Sequence, residues 1–421
     1  MRRLFLFSIV MAVISVVSYA ADPTATRFSY ADCQGSYKPY PVPREAFDYP
    51  DSLKPVFVNH VGRHGSRFPS SAKDVLTLIG ALNRADSIGS ITPAGRQLLA
   101  LSQHLLSQGN GRWGALDSLG IAEQRGIASR MFVNYPSLFR DGIVRAVSSY
   151  SPRCLMSMYE FTHQLDRLNN KVEIYTSAGR QNSPLMRYFD TDKEFVDFRQ
   201  SKFTDDTYNA FFASTAVYSS LKRVLGASYP YGDDESMSRL AYIEYRVAAS
   251  MAAAGIECDL SQYFTIDEIN LLWACSNMRH YLDYSSTTIS TVPSDSASPL
   301  LLNLVETIDA AAEGKAAATV MLRFGHAETL MPLLSLMHLD GCYYMTNYFD
   351  TVAKNWQDFR IVPMASNLQM ILFQADSGRY YLRVDLNEVP VSLLPDSSDV
   401  YTRWDVARDY LLRCVPIYYQ F

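Results

Sequence analysis

The chain has 421 residues, of which 48% are apolar, 13% aromatic and 19% charged, with a formal net charge of -5. This composition excludes global disorder, and the length favours two domains or one domain with a large insertion. The negative net charge argues against a protein that binds the backbone of nucleic acids.

The N-terminus has the pattern of a cleaved signal peptide over residues 1–20. Arg2 and Arg3 precede an apolar stretch over 4–17, and residues 18–20 form a small-x-small cleavage site. The alternative is a membrane anchor, but the apolar stretch is shorter than the ~20 residues that a spanning helix needs. We therefore expect an exported protein, periplasmic or secreted, without a membrane span in its mature form.

The first part of the chain alternates predicted strands and helices. Strands are predicted over 54–62 and 142–150, where β-branched and aromatic residues are concentrated. Thr92 and Pro93 have the pattern of a helix N-cap and first helical position. The predicted helices cover 71–85, 92–109, 116–136 and 151–165.

The middle of the chain differs, because residues 166–290 contain helix-like stretches and few strand signals. We expect them to form an inserted, smaller α-helical domain. Alternation then returns with a strand over 318–325, a helix over 328–337 and a hairpin over 365–394. The pattern predicts an α/β domain formed by residues 21–165 and 291–421, with a parallel or mixed sheet flanked by helices.

Six cysteines suggest disulfide bonds, because an even number is typical of exported proteins. Cys258 and Cys275 are the closest pair in the sequence, and we expect them to be bonded. Cys154 is predicted to be a small buried side chain. The cysteines and histidines do not have the spacing of a zinc site.

Charged residues follow three predicted strands at the points where the strands end. In an open α/β sheet, ligands bind outside the carboxyl ends of the strands. We therefore expect these side chains to share one crevice. They are Arg63, His64 and Arg67 after the first strand, Arg153 after the second, and His326 and Glu328 after the third.

These residue types suit the transfer of a phosphoryl group. Three guanidiniums around one point form an anion site that matches phosphate oxygens. His64 would attack phosphorus as a neutral imidazole, with a backbone carbonyl near Gly65 fixing its tautomer. Glu328 would protonate the leaving alkoxide, which requires a raised pKa. Each residue alone also has an ordinary structural interpretation, such as Arg153 at an exposed helix start.

Several motifs resemble those of one family. "RHGSRFP" (63–69) resembles the active-site motif of the histidine acid phosphatases, a branch of the histidine phosphatase superfamily. "FGHAETL" (324–330) resembles the multiple inositol polyphosphate phosphatases, whereas most of the branch has His-Asp there. "SSYSPRCLMS" (148–157) is similar to the arginine segment of the family without its usual Thr-Asp, and 367–395 resembles the C-terminal region of this group. The resemblance implies a phosphoglycerate-mutase-like α/β fold with an inserted α domain.

The resemblance also implies roles for the candidate residues. His64 would be the nucleophile that forms a phosphohistidine, and Glu328 would be the proton donor in the place of the usual Asp. No metal or other cofactor is implied, because arginines supply the positive charge. The residues implied to hold the scissile phosphate are Arg63, Arg67, Arg153 and His326.

The resemblance implies a phosphorylated inositol as the substrate, with phytate as the leading candidate. Lys73 and Arg323 are candidates for contacts with outer phosphates, with solvated side chains as the alternative. Arg180 and Arg187 are further cationic residues that the sequence does not rank. Two other functions stay open: a broader acid phosphatase or sugar-phosphatase with the same site, and an exported protein that binds phosphorylated ligands without turnover.

Overall fold

The computed structural model describes residues 27–43 and 48–419. The signal peptide predicted over residues 1–20 lies outside these ranges. None of the described helices is long and apolar enough to cross a membrane.

Eight strands of the described residues form a single sheet. The strands predicted over 54–62, 142–150 and 318–325 are all present. The predicted hairpin is also present, and its turn places Gly378 at a φ of 82°. The strands are β1 (Leu53–Arg63), β2 (Ile143–Ser148), β3 (Glu173–Ala178), β4 (Val320–Gly325), β5 (Asn367–Ala375), β6 (Tyr380–Leu386), β7 (Val389–Val391) and β8 (Tyr401–Arg403).

The sheet is mixed, with the strand order β3-β2-β4-β1-β5-β6-β7 and with β8 beside β6. The four strands at one end of this order, β3, β2, β4 and β1, are parallel to their neighbours. The remaining strands pair antiparallel, beginning with β5 against β1. The carboxyl ends of four parallel strands therefore lie along one edge of the sheet.

Helices connect these strands and cover the sheet. Pro93 begins α2, and Thr92 caps it by accepting a hydrogen bond of 3.0 Å from the backbone N–H of Gly95, as predicted. The α-helices of the described residues are α1 (Lys73–Ser87), α2 (Pro93–Gly109), α3 (Ser118–Asn134), α4 (Ser137–Arg140), α5 (Pro152–Leu168), α6 (Ser183–Met186), α7 (Tyr188–Thr191), α8 (Lys193–Ser201), α9 (Asp205–Thr215), α10 (Leu221–Leu225), α11 (Asp234–Ser250), α12 (Ile266–Tyr284), α13 (Val292–Asp295), α14 (Ser298–Ala312), α15 (Ala327–Leu336), α16 (Val352–Asn355), α17 (Asp358–Ile361) and α18 (Trp404–Cys414). Short 3-10 helices lie at Asp32–Tyr37, Arg180–Asn182, Ala252–Ala254, Leu260–Gln262, Phe349–Thr351 and Ile417–Tyr419.

Both faces of the sheet are covered, because side chains alternate between the faces along each strand. Helices α3 and α5 cover one face, where Phe161 joins an apolar cluster with Leu322 of β4. Helices α14, α15 and α18 cover the other face, where Leu304 joins a cluster with Phe57 of β1. The predicted α/β class, a mixed sheet flanked by helices, is confirmed.

Residues 166–290, predicted to form a helical insertion, contain the end of α5 and then strand β3, which pairs in parallel with β2. The central sheet therefore includes the first part of this segment. The rest of the segment is helical, and α10, α11 and α12 share an apolar core with α1 and α2. The division into two domains stays a prediction.

The predicted disulfide between Cys258 and Cys275 is wrong, because all six cysteines are free thiols. Cys275 lies on the buried side of α12, and Cys258 lies half-buried in the loop between α11 and α12. Burial raises the pKa of both thiols to about 12. They therefore pack as small apolar side chains, as does the buried Cys154.

A buried carboxyl of the helical segment makes this part of the fold sensitive to pH. Glu244 of α11 is 0% exposed, and its Oε2 accepts a hydrogen bond of 2.7 Å from Ser220. Its Oε1 has no hydrogen-bond partner among the described residues. Burial raises its pKa to about 8, assisted by the charge of Glu268 and opposed by the Ser220 bond and Arg223.

We predict that Glu244→Gln makes the free energy of unfolding less dependent on pH. The folded pKa lies above the ordinary 4.5, so ionisation disfavours the folded state increasingly between pH 4.5 and about pH 8. The glutamine variant lacks this loss of unfolding free energy, which is on the order of a few kcal/mol in the wild type. Urea unfolding at several pH values tests this, with the exposed Glu235→Gln on the same helix as the control. A difference between the Glu244 variant and the wild type that stays constant with pH would contradict the prediction.

Candidate active site

The candidate residues meet at the edge of the sheet where the four parallel strands end. Residues 63–69 follow β1, residues 149–153 follow β2, and residues 326–328 follow β4. A fourth segment, residues 180–187, follows β3 at the same edge. The expected convergence at the carboxyl ends of the strands is therefore present.

The turn at residues 63–66 is held at every backbone polar group, since each of its four N–H and four C=O groups has a hydrogen-bond partner. The N–H groups of residues 63, 64, 65 and 66 donate to Ser366 O, Gly325 O, Ser157 Oγ and Glu123 Oε2. The C=O groups of the same residues accept from Gln124 Nε2, Ala365 N, His64 Nδ1 and Asp117 N.

The ring of His64 is fixed in one orientation by its own loop. Nδ1 lies 2.9 Å from the carbonyl oxygen of Gly65. Because a carbonyl oxygen only accepts, this contact places the proton on Nδ1 and leaves the lone pair on Nε2. Burial, together with the charges of Arg63 and Arg67, keeps the pKa of His64 well below its usual range. His64 is therefore a neutral imidazole with a free nucleophilic nitrogen.

Two glycines allow α3 to approach this loop closely. A Cβ at Gly65 would lie 2.5 Å from the carbonyl oxygen of Gly120 on α3. A Cβ at Gly120 would lie 2.2 Å from the carbonyl oxygen of Ser66. Neither position has room for a side chain, so the glycine in the motif serves the contact with the helix.

Four guanidiniums surround the pair formed by His64 and His326, whose ring centroids lie 5.7 Å apart. Each of the four has a buried Nε with no hydrogen-bond partner among the described residues. A buried charged donor without a partner costs free energy, so these groups are suited to an anion that supplies acceptors. The four residues are Arg63, Arg67, Arg153 and Arg187.

His326 lies between two of these guanidiniums. Its Nδ1 lies 3.2 Å from Nη2 of Arg153, and its Nε2 lies 2.8 Å from Nη1 of Arg187 and 3.0 Å from Oγ of Ser149. Burial lowers the pKa of His326 to about 3, and the charges of the arginines add to the effect although Glu328 opposes it. The ring is therefore neutral in the structure, with one nitrogen that carries a proton and one that accepts a hydrogen bond.

Glu328 lies in the first turn of α15, half-buried beside the same cluster. Burial acts to raise its pKa, but the electrostatic interaction with His326, a backbone hydrogen bond and the positive charges of Arg63 and Arg153 outweigh it and lower the pKa to about 2. A carboxyl that acts as a proton donor near neutral pH requires a raised pKa. In the structure the pKa of this carboxyl is shifted in the opposite direction, by His326 and the arginines.

The two residues predicted to contact outer phosphates have different positions. Arg323 of β4 is 1% exposed and donates hydrogen bonds of 2.8 Å to Asn59 and to Asn303, so this prediction is wrong. Its side chain points to the sheet face covered by α14, as the alternation along β4 requires. Lys73 is exposed at the first position of α1, and its role stays a prediction.

Across residues 27–43 and 48–419, no group of three or more His, Cys, Asp or Glu side chains is placed to hold a metal ion. A family model described as histidine phosphatase superfamily (branch 2) matches residues 56–387, which is most of the chain. The chain belongs to branch 2 of the histidine phosphatase superfamily. The predicted family and the prediction of a histidine acid phosphatase enzyme are confirmed.

Two relatives of this histidine phosphatase have the same name. Multiple inositol polyphosphate phosphatase 1 of Homo sapiens is 25% identical over 385 residues, covering 85% of this chain and 79% of the human protein. The Gallus gallus protein of the same name is 24% identical, covering 87% of this chain and 84% of that protein.

Solved structures show the same fold. A Bifidobacterium longum multiple inositol polyphosphate phosphatase in complex with inositol hexasulfate has a TM-score of 0.74 at 17% identity. The superposition covers 89% of this chain and 96% of the Bifidobacterium longum chain. A phytase from D. castellii has a TM-score of 0.71 at 15% identity, covering 91% of this chain and 85% of its own.

Arg187 is the site residue of this histidine phosphatase that the sequence analysis left unranked. It follows β3, the parallel strand that the sequence analysis did not predict. The segment "EIYTSA" contains β-branched and aromatic residues, and recognising it as a strand would have drawn attention to the arginines behind it. Arg180 is exposed, and its guanidinium lies 4.7 Å from the ring centroid of Tyr150.

We predict that Arg187→Ala weakens the binding of inorganic phosphate by about 10- to 100-fold. The variant loses a guanidinium that contacts His326 and whose own Nε is unpaired. A hydrogen bond from such a charged donor to phosphate is worth about 1.5–3 kcal/mol. Arg180→Ala is the matched control, because both guanidiniums lie on the ring of Tyr150 but only Arg187 contacts His326. Isothermal titration with phosphate measures both affinities. Equal losses in the two variants would show that Arg187 has no special place in the site.

Proposed function

We propose that this protein is a phosphomonoesterase that removes phosphate from inositol polyphosphates through a covalent phosphohistidine on His64. The observation that carries the proposal is the set of four guanidiniums with buried, unpaired Nε atoms around one neutral imidazole. Arginine presents planar donor pairs that match phosphate oxygens, and a fixed neutral imidazole is the nucleophile that phosphoryl transfer needs.

The proposed substrate is phytate or a related inositol phosphate. The human and chicken relatives are named multiple inositol polyphosphate phosphatase, and they align with most of this chain. The residues Ala327 and Glu328 also give the His-Ala-Glu sequence that resembles this group. We further propose that the enzyme is exported, on the basis of the signal-peptide pattern over residues 1–20.

In the first step, Nε2 of His64 forms a bond to phosphorus while the bond from phosphorus to the inositol oxygen breaks. The arginines and His326 hold the three other phosphate oxygens and stabilise their charge in the transition state. Glu328 gives its proton to the leaving oxygen, so the inositol departs as an alcohol rather than as an alkoxide.

In the second step, water attacks the phosphohistidine. The Glu328 carboxylate accepts a proton from that water as the new bond to phosphorus forms. The bond between phosphorus and Nε2 breaks, which returns His64 to its neutral form and releases inorganic phosphate. The two half-reactions return every group to its starting protonation state.

The low pKa of Glu328 in the structure fits this scheme once a phosphate is considered. The lowering is caused by the electrostatic interaction with His326 and by the positive charges of Arg63 and Arg153. A phosphate dianion bound among these groups compensates their charge and adds negative charge near the carboxylate. Both effects raise the pKa of Glu328, so the substrate itself converts the carboxylate into an acid.

We predict that His64→Ala abolishes phosphate release from phytate, because no other group in the site replaces Nε2. His104→Ala, an exposed histidine on α2, is the control and retains full activity. Product inositol phosphates are separated over time, in the presence of EDTA. Retained turnover in the His64 variant, or a trapped phosphate on a different residue, would contradict the nucleophile assignment. Wild-type protein that binds phytate without releasing phosphate would be a binding protein rather than an enzyme.

We predict that Glu328→Gln slows phytate hydrolysis by about 100-fold or more, the usual contribution of a positioned proton donor. The loss is smaller with p-nitrophenyl phosphate, because its leaving group needs no proton. Glu306→Gln, an exposed glutamate on α14, is the control. Steady-state rates on both substrates provide the comparison. An equal loss on the two substrates would mean that Glu328 acts only by its charge.

A further inference from the structure

Three residues of helix α3 contact the turn at residues 63–66. Gly120 lies against the backbone of Gly65 and Ser66, at the distances given above. One turn later, Glu123 and Gln124 reach the same backbone with their side chains. Among these contacts, only the one from Glu123 comes from an ionisable group.

Glu123 accepts hydrogen bonds from three donors although it is only 9% exposed. Its Oε2 accepts from the backbone N–H of Ser66 at 2.7 Å, and its Oε1 accepts from Oγ of Ser66 at 2.8 Å. Oε1 also accepts from the backbone N–H of Tyr40 at 2.9 Å. The carboxylate therefore joins the turn at residues 63–66 to the N-terminal segment, here residues 36–40.

Only an ionised carboxylate offers acceptors on both oxygens to these donors. A glutamine in the same place would turn an NH₂ group toward one of the backbone N–H groups, so at least one bond would be lost. Burial raises the pKa of Glu123, while the bonds from Tyr40 and Ser66 and the charge of Arg63 act in the opposite direction. The surrounding donors thus support the charged form.

The N-terminal segment that Glu123 holds contributes directly to the phosphate site. The carbonyl oxygen of Ser36 accepts a hydrogen bond of 2.6 Å from Nη1 of Arg63. The ring of Tyr37 lies 5.9 Å from the guanidinium of Arg67. Both arginines therefore depend on this segment for their positions, as His64 depends on the turn that contains Ser66.

We infer that Glu123 is a positioning residue of the phosphoryl-transfer reaction. It keeps the His64 turn and the N-terminal segment behind Arg63 in one fixed arrangement. The inference rests on the proposed function, since it concerns the geometry of attack on phosphorus. Among the described residues, Glu123 forms no hydrogen bond with His64 or with a guanidinium. Its effect on the reaction is therefore indirect.

The test compares Glu123→Gln with Glu388→Gln. Glu388 is also 9% exposed and also contacts Tyr40, accepting a bond of 2.9 Å from its hydroxyl, but its remaining hydrogen bonds are to Arg130. We expect Glu123→Gln to lower kcat on phytate by about 10- to 100-fold, as a small misplacement of a nucleophile does. KM should change by less than about threefold, because the phosphate ligands remain. Glu388→Gln should lower the melting temperature while kcat stays within about twofold of the wild type.

Further measurements separate the possible outcomes. Glu123→Asp keeps the charge and should recover part of kcat, which a purely structural defect would not predict. If Glu123→Gln does not fold, Ser66→Ala removes the Oγ donor alone and should still lower kcat by severalfold. A kcat equal to the wild type in the folded variants, or equal losses in the Glu123 and Glu388 variants, would overturn the inference. Wild-type protein without phosphatase activity would instead overturn the proposed function.

Discussion

The site depends on positive charge that the fold brings together before any anion arrives. Burial lowers the pKa of Arg63 to about 10, and the charge of Arg67 contributes to the shift. Burial and the same neighbour also lower the pKa of Arg153. The guanidiniums therefore repel one another in a region of low solvation, and the rest of the structure must hold them there. A bound phosphate removes this repulsion, which favours binding of a multiply charged anion.

The backbone around His64 provides that support. The turn at residues 63–66 satisfies each of its eight backbone polar groups through partners from several separate parts of the chain. Helix α3 supplies two of these partners, Glu123 and Gln124, and Gly120 lets the helix approach the turn closely. Rigid placement of this kind reduces the rearrangement needed at the moment of reaction. The position of His64 is thus set by the elements that bind its backbone.

Strands β1, β2 and β4 could be predicted from the sequence because they are rich in apolar residues and followed by conspicuous charged motifs. Strand β3 was missed because it is an edge strand whose side chains are mostly exposed, so it lacks an apolar pattern. Arg187 was left unranked for the same reason. The expectation for Arg323 was wrong because this residue lies inside β4, three residues before His326, and its side chain points to the sheet face covered by α14, where Asn59 and Asn303 bind it.

The same charges combine differently with burial at His64 and at Glu328. For His64, burial and the neighbouring arginines both lower the pKa. For Glu328, burial raises the pKa while His326 and the arginines lower it. In the proposed reaction, a bound phosphate dianion compensates the charge of the arginines, and burial then favours the neutral form of both groups. The proposed roles need this combination: a neutral His64 that can attack phosphorus and a protonated Glu328 that can give its proton to the leaving group.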